Sequence, residues 1–284
     1  MRIRNTLGAF TSLLRSVNII SKINNNSVRI IIYHNILPEH FSILEKQLRY
    51  LKLYYNFLND RKFREIMDGQ SQTSTRNNLL LTFDDGFKSN FTVAKKILDT
   101  LGIKAIFFIP PDFINCIERN QQKEFIARNI YDGIVSVDTV SDDEEPMSWG
   151  DLEYLLEHGH TIGSHTRTHK RLSEIKDTAE LEDEIAGAGD ILQKTLGISI
   201  EHFAYPFGDI NSINSQALAI AGKRYRYIFS GVRGFNNTYV SPRAIRRDVI
   251  SLDDLLSYNH FILEGGLDLY YYYDRKLLNS MIRD

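Results

Sequence analysis

A single α/β domain, built as a distorted barrel of parallel strands wrapped by helices, is the fold this sequence predicts. Short apolar runs recur along the chain, each followed by a segment with helical spacing, as in successive βα units. Leu79–Phe83 is a continuous apolar run, as in a parallel strand buried on both faces. Glycines close the helical segments at Gly102, Gly159, Gly197 and Gly222, where the left-handed cap conformation carries no Cβ penalty. Repetition of such units over 284 residues favours a closed or nearly closed barrel with its chemistry at the C-terminal ends of the strands. A doubly wound open sheet is the structural alternative.

Taken in order, Val28–Tyr33 reads as the first strand and Phe41–Leu53 as an amphipathic helix. Leu79–Phe83 is the next strand, Ser89–Leu101 its helix, and Lys104–Ile109 a strand stopped by Pro110 and Pro111. From 112 to 147 the pattern loosens and ends in the acidic run Asp142–Glu145; this stretch is read as an inserted loop or lid. Alternation then resumes with a helix at Trp149–His158, a strand at Thr161–His165 and a helix at Asp177–Leu196. A strand at His202–Tyr205, a helix at Ser212–Ala221 and a strand at Arg226–Phe229 follow. The barrel domain is thereby assigned to 27–250, preceded by an amphipathic segment at 1–26 and followed by a helical, Tyr-rich extension at 251–284. The run Tyr270–Tyr273 is assigned to packing against the barrel or another subunit, with stacking on sugar rings as the functional alternative.

Composition excludes several classes. Hydrophobic residues at 43% and charged residues at 25% describe a soluble globular chain with a sizeable core. A net charge of -2 provides no basic footprint for nucleic acid. The single cysteine, Cys116, excludes an internal disulfide and a Cys-rich zinc site, and fits a reducing compartment. The apolar stretch Leu7–Leu14 is interrupted by Thr11 and Ser12 and followed at once by Arg15, so it reads as a short amphipathic helix rather than a secretory signal. With Arg2 and Arg4 it leaves a peripheral membrane contact open, but no apolar run approaches the ~20 residues that span a bilayer. A cytoplasmic location is the resulting expectation.

Three segments carry chemistry. Thr82-Phe83-Asp84-Asp85-Gly86 ends a buried strand, where adjacent carboxylates are costly unless they are paired or bind a cation. Asp-Asp-Gly is also good turn chemistry, and alone the segment does not choose between the two. His165 and His169, four residues apart after another strand, can converge on one cation, and imidazole suits zinc and similar divalent metals. Two histidines and a carboxylate form a three-ligand site with open positions, and leave the second aspartate free as a base, so metal-assisted hydrolysis is the leading reaction class. Ala204-Tyr205-Pro206-Phe207-Gly208 ends a third strand and is by itself an ordinary exit to a loop.

Together, in this order and spacing, the segments resemble the polysaccharide deacetylase superfamily (carbohydrate esterase family four, the NodB-homology fold) over about 30–249. They look like the subgroup with an early Tyr33-His34 and a Phe-Ala-Tyr-Pro-Phe-Gly third motif. The resemblance implies Asp84 as catalytic base, Asp85, His165 and His169 as ligands of one divalent ion, zinc first with cobalt or nickel open, and His34 as general acid. It also implies that Tyr205, Pro206 and Phe207 line the substrate, the Phe207 N–H facing the oxyanion. Many relatives carry an arginine where Ala204 stands, so Arg243 or Arg246 is expected to orient Asp84 instead. His40, His158, His160 and His202 match no motif and are read as surface or structural. The implied activity is removal of N-acetyl groups from an amino sugar, glycan or polysaccharide. An O-acetyl esterase and a catalytically silent carbohydrate-binding relative are the alternatives.

Overall fold

The computed structural model describes residues 27–70 and 77–282; the segment 1–26 lies outside them. Eight strands form one parallel sheet: β1 (Val28–Tyr33), β2 (Tyr55–Phe57), β3 (Asn77–Phe83), β4 (Ala105–Ile109), β5 (Thr161–Ser164), β6 (His202–Ala204), β7 (Tyr227–Phe229) and β8 (Asp248–Val249). Their order is β7-β6-β5-β4-β3-β1-β8, with β2 also paired to β3. The segment entering β8 touches both edges of this sheet. Ile245 bridges to Phe229 on β7, and three residues later Asp248 pairs with Ile31 on β1. The sheet therefore curls into a distorted barrel whose seam is residues 245–249.

Strand alternation sorts the core into two layers. Ile31, Leu81, Phe83 and Phe107 face outward and pack against helix residues such as Leu44, Leu48, Leu155 and Leu192. Ile30, Leu80, Phe108, Ala204, Phe229 and Ile245 face inward, joined by Phe63 and Ile66 of the helix Asp60–Met67. That helix contacts the N-terminal ends of β6 and β7, with Arg64 donating to Glu201, and so plugs the end of the barrel opposite the strand C-termini. By the same alternation Thr82 and Asp84 share the inward side with Leu80, and Arg247 shares it with Ile245. This parity positions the site.

Several elements differ from expectation. β2 and the helix Asp60–Met67 have no counterpart in the sequence reading. The helix expected at Ser212–Ala221 runs Ser215–Arg224, because the Asn214 side chain accepts from the Ala217 N–H and caps its start. Gly222 is thus inside the helix rather than its cap. A Cβ there would lie 2.9 Å from the Arg243 guanidinium, so the glycine serves close packing. The stretch 112–147 is not a bare loop: helices Pro111–Ile114 and Arg119–Phe125 and a π-turn at Ile126–Ile130 enclose Phe87, Phe113, Ile126 and Val140. After β8 come helices Leu256–Leu263 and Tyr272–Met281. Leu278 anchors the last of these, whereas Tyr270, Tyr272 and Tyr273 are 81%, 52% and 77% exposed and do not pack it onto the barrel. Among the described residues no helix is long and apolar enough to cross a membrane.

Candidate metal and active site

β3 delivers both aspartates. The Asp84 N–H donates to the Tyr33 carbonyl at 3.0 Å, continuing the β1–β3 pairing one residue beyond the strand. The chain then turns through two left-handed residues, Asp85 (φ 74°) and Gly86 (φ 75°), which send the neighbouring carboxylates in different directions. Asp85, His165 and His169 are all buried, and one ligand atom from each lies within 4.8 Å of the others.

The two imidazoles are oriented through their far nitrogens. His165 Nδ1 is 2.7 Å from the Ala204 carbonyl and His169 Nδ1 is 2.9 Å from the Asn129 carbonyl. A carbonyl only accepts, so each Nδ1 carries the hydrogen and each Nε2 is left with its lone pair. Those Nε2 atoms stand 3.4 and 3.2 Å from the same Asp85 oxygen. Two aimed imidazole lone pairs and a carboxylate are the donor set a zinc-class ion takes, so these residues fit a divalent metal. Asn129 belongs to the inserted segment, which is therefore part of the site.

Holding His169 in place requires unusual backbone. Thr166 (φ 60°) and His169 (φ 63°) are both left-handed, a conformation costing on the order of 1–3 kcal/mol for a residue with a side chain. The Thr166 hydroxyl accepts from the His169 N–H at 3.0 Å, closing the turn. Gly163, two residues before His165, lies against Phe108, and a Cβ there would meet the ring at 2.6 Å.

Asp84 has a different environment. Arg247 donates to both of its oxygens, at 2.7 and 2.9 Å, with side chains only 1% and 4% exposed. Burial pushes the Asp84 pKa up, but the Arg247 guanidinium, with lesser help from His165, its own hydrogen bonds and His34, holds it below the usual carboxylate range. Arg247 is itself satisfied, donating also to the Ser230 carbonyl and the Thr82 hydroxyl, and lies over the Phe108 ring at 5.1 Å. Neither Arg243 nor Arg246 reaches Asp84. Arg243 donates to the Gly222 carbonyl, and Arg246 to the Phe235 carbonyl from the opposite side of the seam. Strand parity was the signal that could have found Arg247, given Ile245 as an inward residue.

His34 follows β1 directly, at the strand end beside Asp84, and is exposed at the rim. Tyr205 and Pro206 are buried after β6, and Phe207 turns the chain with φ 64°. The Phe207 ring contacts His169 edge-on at 5.1 Å and is covered by the Arg171 guanidinium at 4.1 Å. A cavity of about 260 Å³ opens beside His169, lined by Asn129, Asp132, Lys170 and Arg171 among others. The unassigned histidines lie elsewhere. His160 accepts from the Ala105 N–H and is driven down to about 4, first by burial and then by Lys104, while His202 is paired with Asp60.

Residues 71–226, more than half of the chain, match the family model described as polysaccharide deacetylase. No curated protein sequence matches. Among solved structures, the deacetylase PplD of Streptococcus pyogenes, solved in complex with acetate, is 18% identical with a TM-score of 0.64, covering 84% of this chain and 98% of its own. IcaB from Ammonifex degensii is 18% identical, with a TM-score of 0.60 over 83% of this chain and 95% of its own. The BpsB deacetylase domain of Bordetella bronchiseptica is 14% identical, with a TM-score of 0.64 over 81% of this chain and 98% of its own. At these identities the likeness establishes the fold.

Proposed function

This chain belongs to the polysaccharide deacetylase family, and from that premise we propose that it is a metal-dependent hydrolase that removes N-acetyl groups from an amino sugar or glycan. The observation that carries the reading is the division of labour between adjacent carboxylates: Asp85 turned to two aimed imidazoles, Asp84 turned to a buried arginine. Acetate, which occupies the Streptococcus pyogenes relative, is the product such a reaction releases.

Asp85, His165 and His169 would hold one divalent ion, with zinc first among the borderline metals that imidazole suits. When bound, the ion supplies Lewis acidity to the acetyl carbonyl and lowers the pKa of the attacking water. Asp84 takes the proton from that water; Arg247 fixes the carboxylate's direction and keeps it ionised. The Phe207 N–H stabilises the developing oxyanion. His34, at the rim, protonates the leaving amine as the C–N bond breaks. An amine leaves far more readily as the neutral species than as its anion, so the amide reaction needs this acid. The substrate is an acetylated carbohydrate, and a silent binding protein has no use for the set of four groups at the centre.

The test is acetate release from N-acetylated and O-acetylated oligosaccharides, alongside hydrolysis of a nitrophenyl acetate whose leaving group needs no proton. Wild type is expected to release acetate from the N-acetylated set. His34→Ala should lower that kcat about 10²–10⁴-fold while largely sparing the nitrophenyl ester. Release confined to O-acetylated substrates identifies an esterase instead, and an unchanged kcat in His34→Ala removes His34 from the acid role.

A further inference from the structure

We propose that Glu184 is a positioning residue for the imidazole pair, setting the loop between His165 and His169 so that both rings converge on Asp85. This rests on the metal-binding reading above. Glu184 lies about fifteen residues further along the chain, in a helix that runs from Thr178 to Leu196 and opens at Asp183–Gly187 into a π-turn. Such turns interrupt the regular ladder and recur at functional sites. The carbonyls turned out here have other partners: that of Glu184 accepts from the Arg167 N–H at 2.9 Å, and that of Ile185 from the Tyr225 hydroxyl at 2.6 Å.

Glu184 is buried, its side chain 3% exposed, and reaches the same loop. One carboxylate oxygen accepts from the Arg167 N–H at 3.1 Å and the Thr168 N–H at 2.9 Å, and the other from the Thr168 hydroxyl. Successive N–H groups converging on one oxygen form an anion-binding concavity. Here that concavity is the stretch between the two histidines. Its ends, Thr166 and His169, are the left-handed residues, so the loop has no conformational preference of its own for this shape. Lys170, half-exposed and 3.7 Å away, is the nearby cation. A buried carboxylate is retained at a desolvation cost, and its hydrogen bonds are all spent on the loop that aims His169.

From the other side the inserted segment meets the same loop. Asn129 donates its amide to the Thr168 carbonyl at 2.8 Å while its own carbonyl receives His169 Nδ1. The histidine loop is thus clamped between two π-turns, Ile126–Ile130 and Asp183–Gly187. The Glu184 carboxylate is the acceptor of the Thr168 N–H and hydroxyl, so its removal strips both of that partner, while the Arg167 N–H keeps the Glu184 carbonyl and the Arg167 guanidinium keeps Asp112 and Asp183.

The test uses zinc affinity by chelator competition, the visible spectrum of the cobalt-loaded protein, and the melting of the metal-free protein. Glu184→Ala should weaken zinc about 10–100-fold, the range for groups that orient ligands, and alter the cobalt spectrum. Glu184→Gln, whose amide oxygen can accept from both loop N–H groups while its NH2 donates to the Thr168 hydroxyl oxygen, should restore both to near wild type. If Glu184→Ala does not fold, Glu184→Asp, which withdraws the carboxylate by one methylene, is read in the same way. Folded Glu184→Ala with wild-type zinc affinity and cobalt spectrum overturns the proposal while leaving the metal site intact. Wild type that binds no zinc or cobalt overturns the metal reading itself.

Discussion

Asp84→Asn lowers kcat for acetate release by about 10²–10⁴-fold while zinc binding stays within a few-fold of wild type. The substitution preserves volume and removes one function. An amide cannot accept the proton of an attacking water, and its NH2 faces a guanidinium that only donates. Asp84 is absent from the group that converges on Asp85, its nearer oxygen standing 3.9 Å from His165 Nε2, so the change leaves all three ligand groups in place. Asp85→Asn behaves differently, since it removes a ligand charge and zinc is lost with activity. Steady-state kinetics with metal content measured on the same preparations separates the two. Asp84→Asn within tenfold of wild type would remove it as the base.

Arg247→Met carries the second large effect, and it appears in stability as well as turnover. The pair Arg247–Asp84 is buried on both sides, and removing one partner leaves a charge without compensation, a change that costs about 3–5 kcal/mol. For a domain of this size that corresponds to a fall in Tm on the order of 10 °C. The pH dependence has a definite sign. In wild type the Asp84 pKa is depressed, so its stabilising contribution is present above the unfolded carboxylate pKa and is lost as pH falls through the folded one. Without Arg247 the largest influence opposing burial is gone, only the lesser help of His165 and His34 remains, and the Asp84 pKa rises. The acid limb of kcat/KM should therefore move to higher pH. Arg247→Lys should recover only part of this, because one ammonium cannot serve both carboxylate oxygens. An acid limb that stays put in Arg247→Met contradicts the pairing's role.

How much of this was legible in the sequence depends on the range of the interaction. β1 matches its expected span residue for residue, and Gly102, Gly159 and Gly197 take the left-handed conformation their positions suggested, because both signals are local. Gly222 misled for the opposite reason: its lack of a side chain answers to Arg243, from a distant segment. The inserted stretch looked irregular because its apolar residues cover only a small core of their own, with Phe87.

At the site, the juxtaposition of Asp85, His165 and His169 follows from two motifs on one rim. The arginine did not follow, since Arg243, Arg246 and Arg247 look alike in sequence. Only the seam between β7 and β1 determines which of them faces inward. Ala204 sits on that inward side with no side chain long enough to reach Asp84, and Arg247 fills the role from the neighbouring seam. The roles of Asn129 and Glu184 were invisible for a related cause: one meets the His169 ring with its backbone carbonyl, the other holds the loop backbone, and neither adjoins the histidine segment in sequence.

The most direct test of the central claim is acetate release from an N-acetylated oligosaccharide by wild-type protein, metal-stripped and then titrated with zinc. Activity should be absent after stripping and return in proportion to zinc, reaching its plateau at one equivalent. Undiminished release by the stripped protein, or no release at any zinc level from any N-acetylated substrate, would contradict it.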